Sequence, residues 1–396
     1  MRYVWRFWFI IAAIIFFAFP NESYAAFFDV PGVGARSFST GGAMTALADD
    51  PLSAVFYNPA ALPDIEGGNF SVGGTVCYFP VHYKSQSGYD EKNNKIAFVP
   101  NLSMNSDKFA PFFLGLGLYG TLGIGFDYDK DPGHGIFNSF KSETGNMYLS
   151  PVVGYKLNSK ISVGVGLDII YTKLKMGMPI QPTNDFLALD ADGFGLGVKV
   201  ALLYKPCDQL NLGVRWISPA KVDAKGDGEF SGVKDRVTAH FYWPHTLTFG
   251  LGWRMKDNFI WLLDLEWIDY SRYSKKSRLS YDHLKFLDGP IMKDLRDARR
   301  IHLGCEYLFN ESVTLRAGYL FNPWCSPEDQ LSPLAPGTNY NSFHLGLGIK
   351  SQRFTFDIAF TQAVGDTKRV TQTETGYPGV YKMDCSSLDV ALRYHF

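Results

Sequence analysis

Ile161-Ser162-Val163-Gly164-Val165-Gly166-Leu167-Asp168-Ile169-Ile170-Tyr171 is the stretch on which the fold turns. Read with a period of two, Ile161, Val163, Val165, Leu167, Ile169 and Tyr171 share one face, and Ser162, Gly164, Gly166 and Asp168 share the other. Side chains alternate across a β-strand, so the stretch reads as a strand with one greasy face and one small or charged face. The pattern recurs on both sides. Upstream of the C-terminus, Leu388, Val390, Leu392, Tyr394 and Phe396 oppose Asp389, Ala391, Arg393 and His395. Phe343, Leu345, Leu347 and Ile349 oppose His344, Gly346 and Gly348, and Phe194, Leu196, Val198, Val200 and Leu202 oppose Gly195, Gly197, Lys199 and Ala201.

About 14 such segments can be counted, beginning near Asn69, Lys95, Phe112, Thr144, Lys160, Leu189, Gln209, Val237, Phe259, Ala298, Ser312, Asn341, Arg353 and Ser386. In a soluble sandwich the apolar face would be core and the charged face would meet water, which explains any one strand. The set points elsewhere. Many strands of about ten or more residues, an aromatic fraction of 16% and a terminal Phe396 on the apolar face describe an outer-membrane barrel, apolar toward lipid and polar toward the lumen. An even strand count puts both ends in the periplasm, so extracellular loops are expected at residues 129–143, 176–188, 225–236, 272–297, 323–340 and 366–384. Short turns at Asn158-Ser159 and Asn310-Glu311 fall on the periplasmic side.

The N-terminus agrees. Arg2 and Arg6 flank an uncharged run from Phe7 to Phe19, which is short for a spanning helix, and Pro20 ends it. Ser23-Tyr24-Ala25 then supplies small residues where a signal peptidase reads, so residues 1–25 are expected to be a signal peptide; an uncleaved anchor helix is the other reading. With 38 Lys+Arg against 39 Asp+Glu, nothing electrostatic argues for nucleic acid. The five cysteines show no CxxC spacing, and no His, Cys or carboxylate cluster suggests a metal site, a cofactor or a catalytic arrangement.

Residues 26–68 do not alternate. They contain Gly41-Gly42-Ala43, Ala48-Asp49-Asp50-Pro51 and Asn58-Pro59-Ala60, too short and glycine-rich a segment for a core of its own, and the barrel lumen is the available place for it to pack. These pieces resemble the FadL/TodX family of outer-membrane transporters of long-chain fatty acids and other hydrophobic molecules. Tyr204-Lys205-Pro206, Leu212-Gly213-Val214-Arg215-Trp216-Ile217-Ser218-Pro219, Leu265-Glu266-Trp267-Ile268-Asp269-Tyr270-Ser271 and Thr314-Leu315-Arg316-Ala317-Gly318-Tyr319 extend the resemblance along nearly all of the mature chain. It implies a 14-stranded barrel (69–396) blocked by an N-terminal hatch (26–68), ligand captured by extracellular loops, and sideways release through a gap in the wall beside the hatch.

On that resemblance Asp49, Asp50, Asn58, Pro59 and Ala60 are the hatch and gate residues. Asn58-Pro59 is also an ordinary turn signal. Phe27 and Phe28, at the expected mature N-terminus, are either pocket residues displaced by ligand or a frayed end. Among inward charges, most are expected to pair with one another. Lys199, Arg215, Arg254 and Arg316 are the candidates for holding a ligand carboxylate, a task that suits Arg. Cys325 and Cys385 both fall on expected loops, where a disulfide could form. The expected function is passive uptake of a hydrophobic small molecule by a monomer among outer-membrane lipid and lipopolysaccharide. A general diffusion porin, a protein-binding member of the same superfamily and a barrel lipase are the rivals.

Overall fold

A computed structural model describes residues 32–134, 138–180, 183 and 185–396; the expected signal peptide, Phe27 and Phe28 lie outside the described residues. The wall is a closed antiparallel barrel of 14 strands. In chain order these are β1 (Asn69–Ser85), β2 (Asp90–Ser106), β3 (Phe112–Tyr128), β4 (Phe140–Lys156), β5 (Ile161–Ile180) and β6 (Asp185–Cys207). Next come β7 (Leu210–Ile217 and Ala220–Phe230), β8 (Val233–Trp243 and Thr246–Lys256) and β9 (Phe259–Ile268). The last five are β10 (Ala298–Leu308), β11 (Val313–Asn322), β12 (Tyr340–Lys350), β13 (Phe354–Gly365) and β14 (Cys385–His395). The ring closes where β1 pairs with β14, from Asn69 opposite His395 to Tyr78 opposite Ser386.

Alternation sets which way each side chain faces. Phe194 and Leu345 stand outward, 70% and 63% exposed, on strands whose inward neighbours Lys199 and His344 are buried. The expected strand starts coincide closely with these elements, but three of the expected loops are shorter than expected because strands run into them. Residues 176–180 and 185–188 continue the β5–β6 ladder out to Ile180 opposite Asp185. Residues 225–230 and 233–236 likewise pair out to Phe230 opposite Val233. Residues 140–143 belong to β4, which shortens the expected loop at 129–143. These polar stretches lack the apolar face that marks a strand in lipid, yet above the membrane a strand needs none, so the pattern stops before the ladder does. At the opposite end the connections are short, as at 157–160 and 309–312.

The turn-side half of the lumen is filled by residues 32–68, which form α1 (Ala35–Ser39), α2 (Pro51–Phe56) and a 3₁₀ turn at Pro59–Asp64. Local chemistry fixes each start: Asp50 accepts from Ser53 N at 3.0 Å and Pro51 occupies the first helical position. Asn58 does the same for the 3₁₀ turn through Ala60 N at 3.0 Å. The inward glycines make room for this segment. A Cβ on Gly318 would lie 2.1 Å from Gly41 N, and one on Gly213 would lie 2.1 Å from Thr45 O. The loop-side half is filled instead by two apolar clusters. One gathers Ile170, Leu189, Val222, Phe241, Tyr273 and Cys325; the other gathers Tyr83, Tyr128, Phe140, Trp324, Tyr377 and Tyr381.

Candidate ligand cavity and wall gap

Between the N-terminal segment and the outer apolar clusters lies a cavity of about 140 Å³. Phe56 and Tyr57 at the end of α2 form part of its floor, with Tyr119, Tyr148, Ile170, Trp243, Ile268 and Tyr270 around it. Charged groups also reach it, and nearly all are spent on the scaffold. Lys199 Nζ pairs with Asp168 at 2.9 Å and donates to Val55 O at 2.9 Å and Tyr119 Oη at 3.1 Å. Arg215 donates from Nη2 to Glu266 at 2.9 Å and Thr248 at 3.0 Å, and from Nη1 to Phe56 O at 3.1 Å. Glu266 also takes Arg300 Nη1 at 3.2 Å.

These lumenal charges tie the hatch backbone to the wall. Asp264 accepts from Met44 N at 3.1 Å and Thr45 N at 2.9 Å, and His302 Nδ1 meets Gly41 O at 2.7 Å. Lower down, Arg36 forks onto Glu306 with two contacts of 3.0 Å and also bonds Asp49. Arg316 closes the same network, reaching Glu306 at 2.8 Å and Asp357 at 2.7 Å. Bidentate, fully buried pairs of this kind position as well as attract.

The four sequence candidates for a ligand carboxylate therefore divide. Lys199 and Arg316 are committed to wall carboxylates. Arg254 is a correction: it is exposed at the turn end, donating to Asp257 O at 3.2 Å, because its inward position falls below the hatch and not in the cavity. Of the four, Arg215 lines the cavity with an unspent donor, its buried Nε having no hydrogen-bond partner among the described residues; Trp243 Nε1, also on the cavity, is in the same state. Arg300 and Trp243 went unread in the sequence. Arg300 carries the inward phase of His302 and Gly304 one step further out, whereas Trp243 faces in only because β8 slips phase at Pro244-His245.

Asn58 bonds Thr45 O at 2.6 Å and Leu202 O at 3.3 Å, fastening the 3₁₀ turn to β6. Pro59 and Ala60 press against Gly164 of β5. Asp49 and Asp50 hold Arg36 and cap α2. The possible Cys325–Cys385 disulfide is not formed: among the described residues all five cysteines are free, Cys325 is buried in an outer apolar cluster, and Cys385 opens β14 beside Cys77.

The wall has a break next to this cavity. β2 and β3 pair only from Asn101 opposite Tyr119 to Ser106 opposite Leu114. Above that, β2 pairs with β1 and β3 with β4, the latter with a register shift between Gly120 and Leu122. The intervening Thr121 lines the cavity. Nearer the loops the two strands are rejoined by side chains: Asn93 Nδ2 to Gly125 O at 3.3 Å, Lys95 to Asp127 at 3.1 Å and Tyr89 Oη to Asp129 O at 2.8 Å.

A family model described as outer membrane protein transport protein (OMPP1/FadL/TodX) matches residues 19–396. The chain belongs to this family. Its members are outer-membrane transport channels and not enzymes, and this FadL/TodX-type chain is accordingly an outer-membrane barrel. Outer membrane protein P1 of Haemophilus influenzae is 23% identical over 409 residues, covering 89% of this chain and 88% of its own. A long-chain fatty acid transport protein of Escherichia coli is 25% identical over 357 residues, covering 78% and 79%. Among solved structures, a Pseudomonas aeruginosa FadL homologue superposes with a TM-score of 0.81 at 16% identity, covering 94% of this chain and 100% of that one. The Pseudomonas putida toluene transporter TodX gives 0.74 at 18% identity, covering 93% and 99%.

Proposed function

We propose that this FadL/TodX-type chain takes up a hydrophobic small molecule, a long-chain fatty acid or a hydrocarbon, and releases it sideways into the membrane through the β2–β3 gap. The observation that carries the reading is that one residue, Thr121, belongs both to the cavity lining and to the part of β3 beyond Tyr119 that no longer pairs with β2. The cavity has no straight route to the periplasm, since Arg36, Asp264 and His302 hold the hatch across the lumen. A greasy cargo gains nothing from such a route in any case: burial in the lipid beside the barrel is the favourable transfer. Relatives named for long-chain fatty acids and for toluene bracket the cargo class.

In this reading residues 1–25 are removed on export, residues 26–68 are the hatch, and residues 69–396 are the barrel, working as a monomer among outer-membrane lipid and lipopolysaccharide. The outer aromatic clusters receive cargo and the cavity holds it, with Arg215 Nε and Trp243 Nε1 the donors that meet an acceptor on a polar head. Asn58-Pro59-Ala60 is the hinge point that keeps the hatch against β5 and β6. The test is uptake of labelled oleate and a labelled alkylbenzene by cells lacking their own hydrophobic transporter. Uptake of either cargo, lowered by Pro59→Gly at equal surface expression, supports the reading. An assembled barrel that takes up neither overturns it for these cargos.

A further inference from the structure

The barrel closes on a pair of thiols. Cys77 of β1 faces the lumen opposite Ser387 of β14, and Cys385 lies two residues before Ser387, on the same face. The two cysteines are thus diagonal neighbours across the seam, and their side chains are in contact. The surrounding backbone has slack where a bridge would need it. The β1–β14 ladder stops at Tyr78 opposite Ser386, and β1 next pairs with a separate short strand, Gly379–Met383, from Val81 opposite Met383, leaving Phe79 and Pro80 outside both ladders; Asp384 N, donating to Pro80 O at 3.1 Å, spans the interval. Pro80 has no N–H to donate, so the lapse beside Cys385 is built into the sequence. The other three cysteines lack this arrangement: Cys207 is exposed on the turn side, Cys305 belongs to β10, and Cys325 is buried in an outer cluster.

We propose that Cys77 and Cys385 form a disulfide that locks the first wall strand to the last. An outer-membrane protein folds from the periplasm, an oxidising compartment, and there both thiols are reachable before the seam closes. The two thiols lose two protons and two electrons to form one S–S bond. The electrons pass to the disulfide of a periplasmic thiol oxidase, which leaves as its dithiol. The bridge encloses nearly the whole barrel in one covalent loop, the arrangement in which a cross-link most restricts the unfolded chain. It acts at the seam that every closed barrel must make last in sequence and hold without help from a covalent neighbour.

The experiment is thiol counting on the full chain purified from outer membranes, denatured in the presence of a maleimide without reductant, then reduced and alkylated with a second reagent. The expected result is that Cys77 and Cys385 take only the second label, that Cys207, Cys305 and Cys325 take only the first, and that digestion without reductant yields a peptide joining Cys77 to Cys385. Cells lacking the periplasmic thiol oxidase should give the first label at all five. Cys325→Ser should leave the linked peptide unchanged, and Cys77→Ser should free Cys385. First-reagent labelling of Cys77 and Cys385 in protein from oxidase-competent cells, or a linked peptide containing Cys325 instead, would overturn the proposal. The wild-type measurement stands even where a seam variant does not assemble.

Discussion

At the scale of single residues, the lumen is run by charge pairs whose removal is costly because the partner stays behind. Glu306 is held between Arg36 of the hatch and Arg316 of the wall, at 3.0 and 2.8 Å. Replacing it with Gln removes the carboxylate shared by two buried guanidinium groups and leaves Arg36 with Asp49 and Arg316 with Asp357, a loss below the roughly 3–5 kcal/mol of a buried charge left wholly unpaired. Glu306→Gln should therefore lower the temperature at which the purified barrel unfolds in a heat-modifiability gel, and the hatch should become protease-sensitive at lower temperature still. A surface counterpart such as Arg236→Ala, which breaks an exposed pair with Asp227, should leave both unchanged. Outside the membrane, the His283 imidazole is held above its ordinary value of 6.5 by a hydrogen bond to Asp235 and by that carboxylate's charge. A raised folded-state value means that the ionic part of this loop tether is complete below pH 6.5 and fades as pH rises through the raised value. A histidine NMR titration should show a midpoint above 6.5 that falls on Asp235→Asn. The residue scale is also where sequence reading is weakest. Which strand residues point inward was legible from alternation, but Lys199, Arg215, Arg254 and Arg316 looked alike, since pairing depends on neighbours two or three strands away and on height along the lumen.

At the scale of elements, the inward glycines are the most instructive feature. They look in the sequence like the bland half of an amphipathic strand, and the structure shows that Gly213 and Gly318 are small because Thr45 and Gly41 of the hatch lie against them. Gly318→Val places side-chain atoms where hatch backbone now sits. We expect the hatch to be displaced and the assembled barrel to conduct ions in a planar bilayer far more readily than the wild type, which the seated hatch keeps nearly closed. The fold class and the strand order were readable because lipid imposes a strict period of two. The extensions of β5 with β6 and of β7 with β8 beyond the lipid were not, because the residues there carry no continuous outward apolar face. The breaks at Ser218-Pro219 and Pro244-His245 are signalled by proline, yet only the structure shows them side by side, with Ile217 opposite Thr246 below and Ala220 opposite Trp243 above.

At the scale of the whole molecule, three layers stack along the barrel axis: aromatic clusters toward the loops, a cavity in the middle, and a salt-bridged hatch toward the turns. Both ends of the axis are filled, so the account places the exit in the wall. The gap between β2 and β3 could not be located in the sequence, because Gly120-Thr121-Leu122 carries no residue that forbids pairing; the ladder lapses through the path of β3 around Val55 and Phe56 of α2, with Gly117 pressed on Val55 and Tyr119 against Phe56. The most direct test is to close it. Had the ladder continued from Asn101 opposite Tyr119, Val99 would face Thr121, so Val99→Cys with Thr121→Cys can be oxidised to staple the gap. Uptake of the cargo by cells carrying this pair should be abolished after oxidation and recover on reduction, while wild-type cells given the same treatments keep their uptake. Equal uptake through the stapled and unstapled barrel would contradict lateral release and return the path to the lumen.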